Sequence, residues 1–286
     1  MHRSLLFVPG DSERKIAKAA SFGADILIFD LEDSVAAKNK EAGRAVTREA
    51  LTQDFGARKY VRVNGLDTGL TDGDLDAVMD NPPETIILPK CASLADIQLL
   101  SDKLTSRERE RGLAIGTITV LPVATESAVA LRNLMRSDWA HPRLTGLMWG
   151  AEDISADIGA FVNREDGEYT GVFKLARDVC FLAAREAGVL AIDTPFVNFK
   201  DEAACRAECE ASYRAGFDGK VAIHPSQVAI INEAFTPNAD QIDWAHRVIE
   251  ALSGGESGVA VLDGQMLDMP HQRNAERILA AAGSSN

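Results

Sequence analysis

Two adjacent carboxylates, Glu152 and Asp153, stand directly after an apolar run in the middle of the chain. The run covers residues 144–149, has the length and composition of a buried strand, and breaks at Gly150. A buried strand that ends in this way brings acid groups to the edge of a sheet, where the carboxyl ends of parallel strands collect ligands and metals. Asp153 would equally serve as a cap for the next helix. This segment alone leaves both interpretations open.

Charged side chains also follow most of the other apolar runs, and in chain order they are Asp30, Glu32, Asp33, Arg62, Lys90, Glu126 and Asp193. Many carboxylates at one edge repel one another unless cations neutralise them. Arg62 supplies one positive charge, with Lys90 beside it, and the remainder calls for a divalent ion. An all-oxygen ligand set suits Mg²⁺ better than zinc or copper. Because Mg²⁺ usually takes one or two protein carboxylates, Glu126 and Asp153 are the predicted ligands.

The elements that would position these side chains are eight short apolar runs, which alternate with segments of helical periodicity. The runs cover residues 4–8, 26–31, 60–63, 85–88, 118–123, 144–149, 189–192 and 220–223, and the helical segments include 13–22, 41–51, 94–104, 128–135, 173–187 and 202–215. Eight strand–helix repeats predict an α/β fold, a (β/α)₈ TIM barrel. Continuous apolar runs fit strands covered on both faces. A doubly wound open sheet is the alternative, although no glycine-rich nucleotide motif follows any run.

A C-terminal extension follows the eighth run. Two helical patterns, residues 239–252 and 272–282, flank a predicted hairpin of residues 258–261 and 265–266, with Asp263-Gly264 as its turn. We therefore predict a catalytic barrel over residues 1–235 and an extension over residues 236–286. The extension is expected to cap the site, either its own or that of a neighbouring subunit.

Composition narrows the classes of function. The formal net charge of −13 argues against electrostatic binding to nucleic acid or to an anionic membrane surface. No apolar run is long enough to span a membrane, and the N-terminus becomes polar too soon for a signal peptide, so a cytoplasmic protein is predicted. The cysteines and histidines follow no zinc-ligand pattern. Its four cysteines are expected to be buried free thiols.

Seven strings in order along the chain resemble the HpcH/HpaI aldolase/citrate lyase superfamily. They run from Arg3 to about Gln227, a weaker similarity continues through LDGQMLDMPHQRNA, and the strings are RSLLFVPG, DLEDSV, VRVN, ILPK, ATES, GAEDIS and AIHPSQ. The branch they resemble is that of the citrate lyase beta-subunit-like enzymes, which includes malyl-CoA and citramalyl-CoA lyases. The resemblance implies Mg²⁺ (or Mn²⁺) as cofactor, coenzyme A as part of the substrate, a keto acid as product, and a homo-oligomer, either a trimer or a hexamer.

The resemblance also implies roles for the matching residues. Glu126 and Asp153 correspond to the Mg²⁺ ligands, and Arg62 corresponds to the arginine that binds the keto acid and stabilises negative charge on its oxygen. The segment that contacts the substrate carboxylate corresponds to Gly150, Ala151, Glu152 and Asp153.

Three further acids have counterparts in the family. Glu32 and Asp33 match positions that hold metal-bound water and Arg62. Related free-acid aldolases have histidine where this chain has Asp33, which argues against an aldolase of that type. Asp268 resembles an acid that malyl- and citramalyl-CoA lyases contribute from a neighbouring subunit.

The implied reaction is a retro-Claisen cleavage of a 3-hydroxy dicarboxylic acyl-CoA to acetyl-CoA plus glyoxylate or pyruvate, in which Asp268 protonates the departing enolate. The phosphates of coenzyme A need positive charge near the strand ends. The candidates are residues that would each also serve as ordinary solvated side chains, namely Arg14, Lys15, Lys18 and Lys38.

Three other functions stay open. One is a citrate lyase beta subunit that cleaves citryl-carrier protein within a complex. Another is a malyl-CoA thioesterase on the same scaffold. A non-catalytic assembly protein fits poorly, because every expected metal and substrate residue is present. The sequence does not say which acyl-CoA is the substrate.

Overall fold

The computed structural model describes residues 1–253 and 258–283, and its contacts divide the chain into two compact units. One unit comprises residues 2–231, and the other comprises residues 232–286 together with Met1. The division falls near the predicted boundary after residue 235. The capping role predicted for the C-terminal part stays a prediction.

Eight parallel strands form the first unit. They are β1 (Ser4–Pro9), β2 (Ile26–Asp30), β3 (Arg58–Arg62), β4 (Thr85–Leu88), β5 (Thr119–Pro122), β6 (Gly146–Met148), β9 (Leu190–Asp193) and β10 (Gly219–Ala222). Hydrogen bonding joins them in the order β5-β4-β3-β2-β1-β10-β9-β6. Two parallel bridges, Val120 with Leu144 and Val123 with Met148, bring the two end strands together. The sheet is therefore a nearly closed barrel, which confirms the predicted TIM-barrel fold, and the open-sheet alternative is wrong.

Alternate residues of each strand fill the inside of the barrel, because side chains on a strand point to opposite faces in turn. The interior cluster consists of Leu5, Ile26, Ile28, Tyr60, Ile87, Leu121, Val123, Met148, Ile192 and Val221, with Phe7 and Leu190 packed against it. The same alternation places Asp30 two residues after Ile28, and Arg62 two residues after Tyr60. Both charged residues therefore stand above the apolar interior at the carboxyl ends of their strands.

Nine helices belong to the described part of the barrel unit. They are α1 (Glu13–Ala19), α2 (Lys40–Leu51), α3 (Thr71–Val78), α4 (Leu94–Glu110), α5 (Ala128–Leu134), α6 (Ala151–Ile158), α7 (Gly171–Glu186), α8 (Glu202–Ala215) and α9 (Ser226–Ala234). Short 3₁₀ turns cover Ala20–Phe22, Ala37–Asn39 and Leu66–Thr68. A small hairpin of β7 (Arg164–Glu165) and β8 (Glu168–Tyr169) precedes α7. Helices α3, α6 and α9 and this hairpin lie outside the segments for which bounds were predicted.

A buried ion pair ties α4 to the segments on either side of the barrel closure. Arg143 and Glu108 are joined by two hydrogen bonds of 2.8 and 2.6 Å, and Arg143 also donates to the carbonyl of Ile118 at 2.8 Å. Glu108 accepts the backbone N–H groups of Gly116 and Ile118. Both charges are removed from water, and every contact named here compensates that desolvation.

The C-terminal unit contains α10 (Ala239–Ser253), a hairpin of β11 (Ala260–Leu262) and β12 (Gln265–Leu267), and α11 (Met269–Gly283). The predicted hairpin is present with its predicted turn, since Asp263 and Gly264 have φ angles of 51° and 79°, as a type I′ turn requires. The core of this unit consists of Ala245, Val248, Leu267 and Ala275. Within the described residues, no helix is long and apolar enough to cross a membrane. The four cysteines are free and buried, as predicted.

Candidate active site

Arg62 is held by Asp30 at the carboxyl ends of two neighbouring strands. The two residues are register partners on β3 and β2, and Arg62 donates through Nε and Nη2 to the two oxygens of Asp30 at 2.7 and 2.8 Å. Burial alone would raise the pKa of Asp30, but the hydrogen bonds and charge of Arg62 outweigh it and lower that pKa. The ring of Phe7 lies 4.5 Å from the guanidinium carbon. Phe7 therefore covers one face of the guanidinium group and Asp30 binds one of its edges, which together fix its plane.

Glu32 lies between Arg62 and Lys90. Its Oε2 is 3.1 Å from Arg62 Nη1, and its Oε1 accepts a hydrogen bond of 2.5 Å from Lys90 Nζ. The carboxylate is buried, and burial raises its pKa despite the two cations. Asp33 is more peripheral, because its side chain is 60% exposed and its Oδ1 is 3.7 Å from Lys90 Nζ.

Glu126 and Asp153 are two carboxylates whose charges interact directly with each other. Glu126 is buried and accepts the backbone N–H of Lys90. Burial and the negative charge of Asp153 raise the pKa of Glu126 to about 8. Asp153 lies in the first turn of α6, whose cap position is Gly150, so the interpretation of Asp153 as a helix cap is wrong. A Cβ atom at Gly150 would lie 3.0 Å from Glu126 Cγ, which explains glycine where α6 approaches Glu126.

This pair fits a divalent cation with oxygen ligands. Two carboxylates whose mutual repulsion raises the pKa of one of them form a site that a positive ion would stabilise. No group of three or more His, Cys, Asp or Glu side chains suited to a metal occurs within 1–253 and 258–283. Two carboxylates are nevertheless what Mg²⁺ commonly takes from a protein, with water and substrate as its other ligands. The residues present therefore fit Mg²⁺.

A cavity of about 810 Å³ joins Arg62 to the basic residues of α1. Asp30, Asp33 and Arg62 line one part of it, and Arg14, Lys15 and Lys18 line another. The other lining residues are Leu6, Phe7, Val8, Pro9, Phe22, Ser34, Pro195, Ile223, His224 and Pro225. The structure thus brings three of the four predicted coenzyme A residues together. Lys38 is exposed and is not among the described residues that line this cavity.

Two of the strand-end acids lie elsewhere than at the centre of the site. The exposed Glu152 accepts a hydrogen bond of 2.8 Å from Asn163 Nδ2. Asp193 was grouped with the other strand-end acids, but it is buried and pairs with Lys220 at 3.0 Å. Because Ile192 fills the barrel interior, its neighbour Asp193 points to the helix layer instead.

Asp268, in the C-terminal unit, is exposed at the start of α11. Its Oδ1 is 2.6 Å from Nδ1 of His271, and its main-chain carbonyl accepts the N–H groups of His271 and Gln272. Asp268 is therefore the residue at which α11 begins, with its carboxyl group open to solvent.

Two pairings in the cluster were not predicted. Asp30 is the partner of Arg62, and Lys90, predicted only as a neutralising charge, contacts Glu32 and Glu126. The signal for Asp30 was available in the spacing, since Ile26, Ile28 and Asp30 share one face of β2. No comparable signal for the contacts of Lys90 was available in the sequence, because Lys90 has a φ angle of 53°, which is unusual for a residue with a side chain.

A sequence model of HpcH/HpaI aldolase/citrate lyase matches residues 3–225, which is most of the chain. The chain belongs to the HpcH/HpaI aldolase/citrate lyase family. This confirms the resemblance found from the seven strings. The aldolases and citrate lyases for which the family is named are enzymes that break carbon–carbon bonds.

Relatives within the HpcH/HpaI family match this chain over almost all of its length. A (3S)-malyl-CoA thioesterase of Cereibacter sphaeroides is 37% identical, with 98% of this chain and 94% of that protein covered. The citrate lyase subunit beta of Leuconostoc mesenteroides subsp. cremoris is 35% identical, with 100% of this chain and 95% of that protein covered.

A solved structure of CitE from Mycobacterium tuberculosis, in complex with magnesium, acetoacetate and coenzyme A, has the same fold. It superposes with a TM-score of 0.81 at 33% identity, and 98% of each chain is covered. A relative of similar size and fold therefore binds the metal, the small acid and the cofactor that the resemblance implies.

Proposed function

We propose that this protein is a Mg²⁺-dependent acyl-CoA lyase. Its substrate would be a 3-hydroxy dicarboxylic acyl-CoA of the malyl-CoA or citramalyl-CoA type, and its products acetyl-CoA plus glyoxylate or pyruvate. One observation carries the proposal: a single cavity joins the fixed guanidinium of Arg62 to a cluster of basic residues on α1. A substrate with a small acid at one end and phosphates at the other matches that arrangement of charge.

Glu126 and Asp153 would hold Mg²⁺, and the bound ion would polarise the oxygen that becomes the carbonyl of the keto acid. Arg62 uses Nε and Nη2 for Asp30, while its Nη1 lies 3.1 Å from Glu32 Oε2. The N–H groups that do not face these acids would bind the carboxylate and oxygen of the substrate. The N–H groups at the start of α6, at Ala151, Glu152 and Asp153, would bind the same carboxylate, as helix N-termini bind anions.

Cleavage would begin with transfer of the proton from the substrate hydroxyl group to a water molecule held by Glu32 and Asp33, which passes it on to solvent. The bond between the carbinol carbon and the carbon next to the thioester then breaks, and its electron pair becomes the enolate of acetyl-CoA. Asp268 would protonate the enolate carbon, or remove that proton in the reverse direction. We propose that Asp268 reaches the substrate of a neighbouring subunit in a homotrimer or hexamer. Its exposed carboxyl group supports this role.

The arm of coenzyme A would lie along α1. Arg14, Lys15 and Lys18 are exposed residues of the cavity wall, and a local basic cluster is what an acidic protein needs to bind phosphates. The presence of coenzyme A in the CitE structure supports binding of coenzyme A by this protein.

A thioesterase is the second candidate, because the Cereibacter sphaeroides relative is named for that activity. Hydrolysis would use the same cavity but would break the thioester bond and release free coenzyme A. The beta subunit of a citrate lyase is the third, and the Leuconostoc mesenteroides relative supports it.

A panel of acyl-CoA esters separates these functions. Purified protein with Mg²⁺ is incubated with malyl-CoA, citramalyl-CoA and citryl-CoA, and acetyl-CoA, keto acid and free coenzyme A are quantified. Equal amounts of acetyl-CoA and keto acid from one ester would support the lyase and name its substrate. Free coenzyme A without a keto acid would identify the thioesterase, and no reaction with any ester would favour the citrate lyase subunit.

A further inference from the structure

Lys90 has an unusual main-chain conformation at the carboxyl end of β4. Its φ angle of 53° lies in the left-handed region, which a residue with a Cβ atom rarely adopts. Non-glycine residues in that region persist only where the surrounding contacts hold them there, and they concentrate at functional sites. Lys90 has such contacts through both its main chain and its side chain.

The main-chain and side-chain contacts of Lys90 lead to different parts of the site. Its backbone N–H donates to Glu126, a predicted metal ligand, and its Nζ donates to Glu32 Oε1 at 2.5 Å. The other oxygen of Glu32 lies 3.1 Å from Arg62 Nη1. This Oε2 atom is buried, and no described residue forms a regular hydrogen bond with it. Among the described residues, the regular hydrogen bond that orients the Glu32 carboxylate therefore comes from Lys90.

We propose that Lys90 is a positioning residue that connects the metal side of the site to the keto-acid side. Its main chain orients Glu126, while its ammonium group holds Glu32 against Arg62 and keeps that carboxylate away from the metal. This role deepens the proposed lyase function and rests on it. The two tasks are separable, because only the second one requires the lysine side chain.

Substitution by asparagine isolates the side-chain task. Asparagine adopts the left-handed region more readily than most residues and retains the backbone N–H, so Lys90→Asn keeps the contact with Glu126. It removes the cation that holds Glu32. Lys90→Arg keeps a cation there, and Lys103→Asn, on α4, is a matched loss of one positive charge away from the site.

Calorimetric titration with Mg²⁺, and with pyruvate at saturating Mg²⁺, provides a readout that does not depend on turnover. In Lys90→Asn we expect pyruvate affinity and kcat to fall about 10- to 100-fold, the usual range for residues that support a metal site. Mg²⁺ affinity should stay within about threefold of wild type or become tighter, because a positive charge near the metal has been removed. Lys90→Arg should restore pyruvate affinity, and Lys103→Asn should resemble the wild type.

Two results would overturn the proposal. A parallel loss of Mg²⁺ and pyruvate affinity in Lys90→Asn would mean that the side chain only maintains the local fold. Unchanged pyruvate affinity would mean that Glu32 keeps its position without Lys90. Failure of the wild type to cleave any acyl-CoA ester would instead count against the proposed lyase function, and the two titrations would still decide the role of Lys90.

Discussion

Asp30 determines where Arg62 stands in the site. Both side chains point above the barrel interior from adjacent strands, and their two hydrogen bonds have the paired geometry that is strong for arginine and a carboxylate. Since Asp30 is only 1% exposed, solvent does not replace it when it is removed. Arg62 would then be free to pair with Glu32 or with Glu126.

Asp30→Asn should therefore lower kcat/KM for the acyl-CoA substrate about 10- to 100-fold, as loss of a supporting carboxylate does at other metal sites. The asparagine side chain keeps the shape but not the charge. Steady-state kinetics of this variant is compared with that of Asp67→Asn, an exposed acid after β3. A change of less than about twofold in the kcat/KM of Asp30→Asn would contradict the role assigned to Asp30, because differences of a few tenths of a kcal/mol are within ordinary experimental scatter.

Single residues were predicted well where a strand end alone determines their position. Arg62, Glu32, Glu126 and Asp153 gather at one edge of the barrel, although their catalytic roles stay predictions. Pairing among them was not predictable, because it depends on strand register and on one left-handed residue. Asp193 shows most clearly that a position at a strand end does not by itself predict a site residue. The side chain of a strand-end acid points inward or outward according to the alternation of its own strand.

At the scale of elements, α1 presents its basic residues to the cavity while its apolar side faces the barrel. Ile16 and Ala19 are buried, whereas Arg14, Lys15 and Lys18 are exposed along the cavity. The helix begins directly after β1 and its Pro9-Gly10 turn. The distance between the basic residues and Arg62 is therefore restricted by a short connection between β1 and α1.

The double variant Lys15→Ala, Lys18→Ala should raise KM for the acyl-CoA at least about tenfold, with kcat within about threefold, because the phosphates contribute to binding rather than to bond cleavage. Added salt should raise KM of the wild type more than that of the variant. Lys174→Ala, Lys200→Ala removes equal charge elsewhere and serves as control. An unchanged KM would place coenzyme A outside this cavity.

Helix α4 depends on one buried contact near the barrel closure. Arg143→Met leaves Glu108 buried without its partner, so we expect the free energy of unfolding to fall by about 3–5 kcal/mol. Arg111→Met, at the end of α4, breaks an ion pair whose partner Asp80 is 64% exposed, and it should cost less than about 1 kcal/mol. Urea denaturation measures both. Equal losses in the two variants would contradict the importance of the buried pair.

The elements that escaped prediction share a physical reason. Helix α6 has eight residues, and two acids, Glu152 and Asp153, lie in its first turn, so its sequence has no clear apolar stripe from which a helix could be predicted. The strands of the β7–β8 hairpin have two residues each, too few for an alternating pattern. The β11–β12 hairpin was predictable because its Asp-Gly turn stands between two apolar runs.

For the molecule as a whole, the free energy of unfolding should decrease as the pH falls from about 5 to 3. Burial alone would raise the pKa values of Glu108 and Asp193, but nearby positive groups outweigh burial and lower both pKa values. At Glu108 these groups are Arg143 and backbone N–H groups. At Asp193 they are Lys220 and Arg177. A carboxyl group whose pKa is lower in the folded protein stabilises the fold at pH values above its pKa in the unfolded chain, which is about 4. This stabilisation is lost as the pH falls towards the pKa of the group in the folded protein. Glu126, with its pKa raised to about 8, acts in the opposite direction from its unfolded value of about 4 upwards, so it opposes this trend only in the upper part of the window.

The acid sensitivity is measured by urea denaturation at several values of pH. The double variant Glu108→Gln, Arg143→Met lacks one of the contributing carboxylates, so its stability should depend less steeply on pH between 5 and 3. An identical slope in wild type and variant would contradict the assignment of this sensitivity to Glu108.

The barrel was predictable as a whole because eight apolar runs repeat with helices between them. Its closure could not be predicted from the sequence, since the two end strands are joined by isolated bridges at Val120 and Val123 and not by a continuous ladder of paired residues. Substrate choice was also beyond the sequence, because it depends on the shape of the cavity around Pro9, Pro195 and Ile223.

The most direct test of the proposed chemistry is the Mg²⁺ dependence of carbon–carbon bond cleavage in wild type and in Glu126→Gln. Malyl-CoA and citramalyl-CoA are incubated with each protein, with Mg²⁺ or with a chelator, and acetyl-CoA and keto acid are quantified together. We expect equal amounts of both products from the wild type with Mg²⁺, and a loss of at least about 100-fold with the chelator or in the variant, since a metal contributes several kcal/mol of charge stabilisation. Undiminished cleavage by Glu126→Gln, or cleavage that persists without Mg²⁺, would contradict the assignment of Glu126 and Asp153 as the metal site of a lyase.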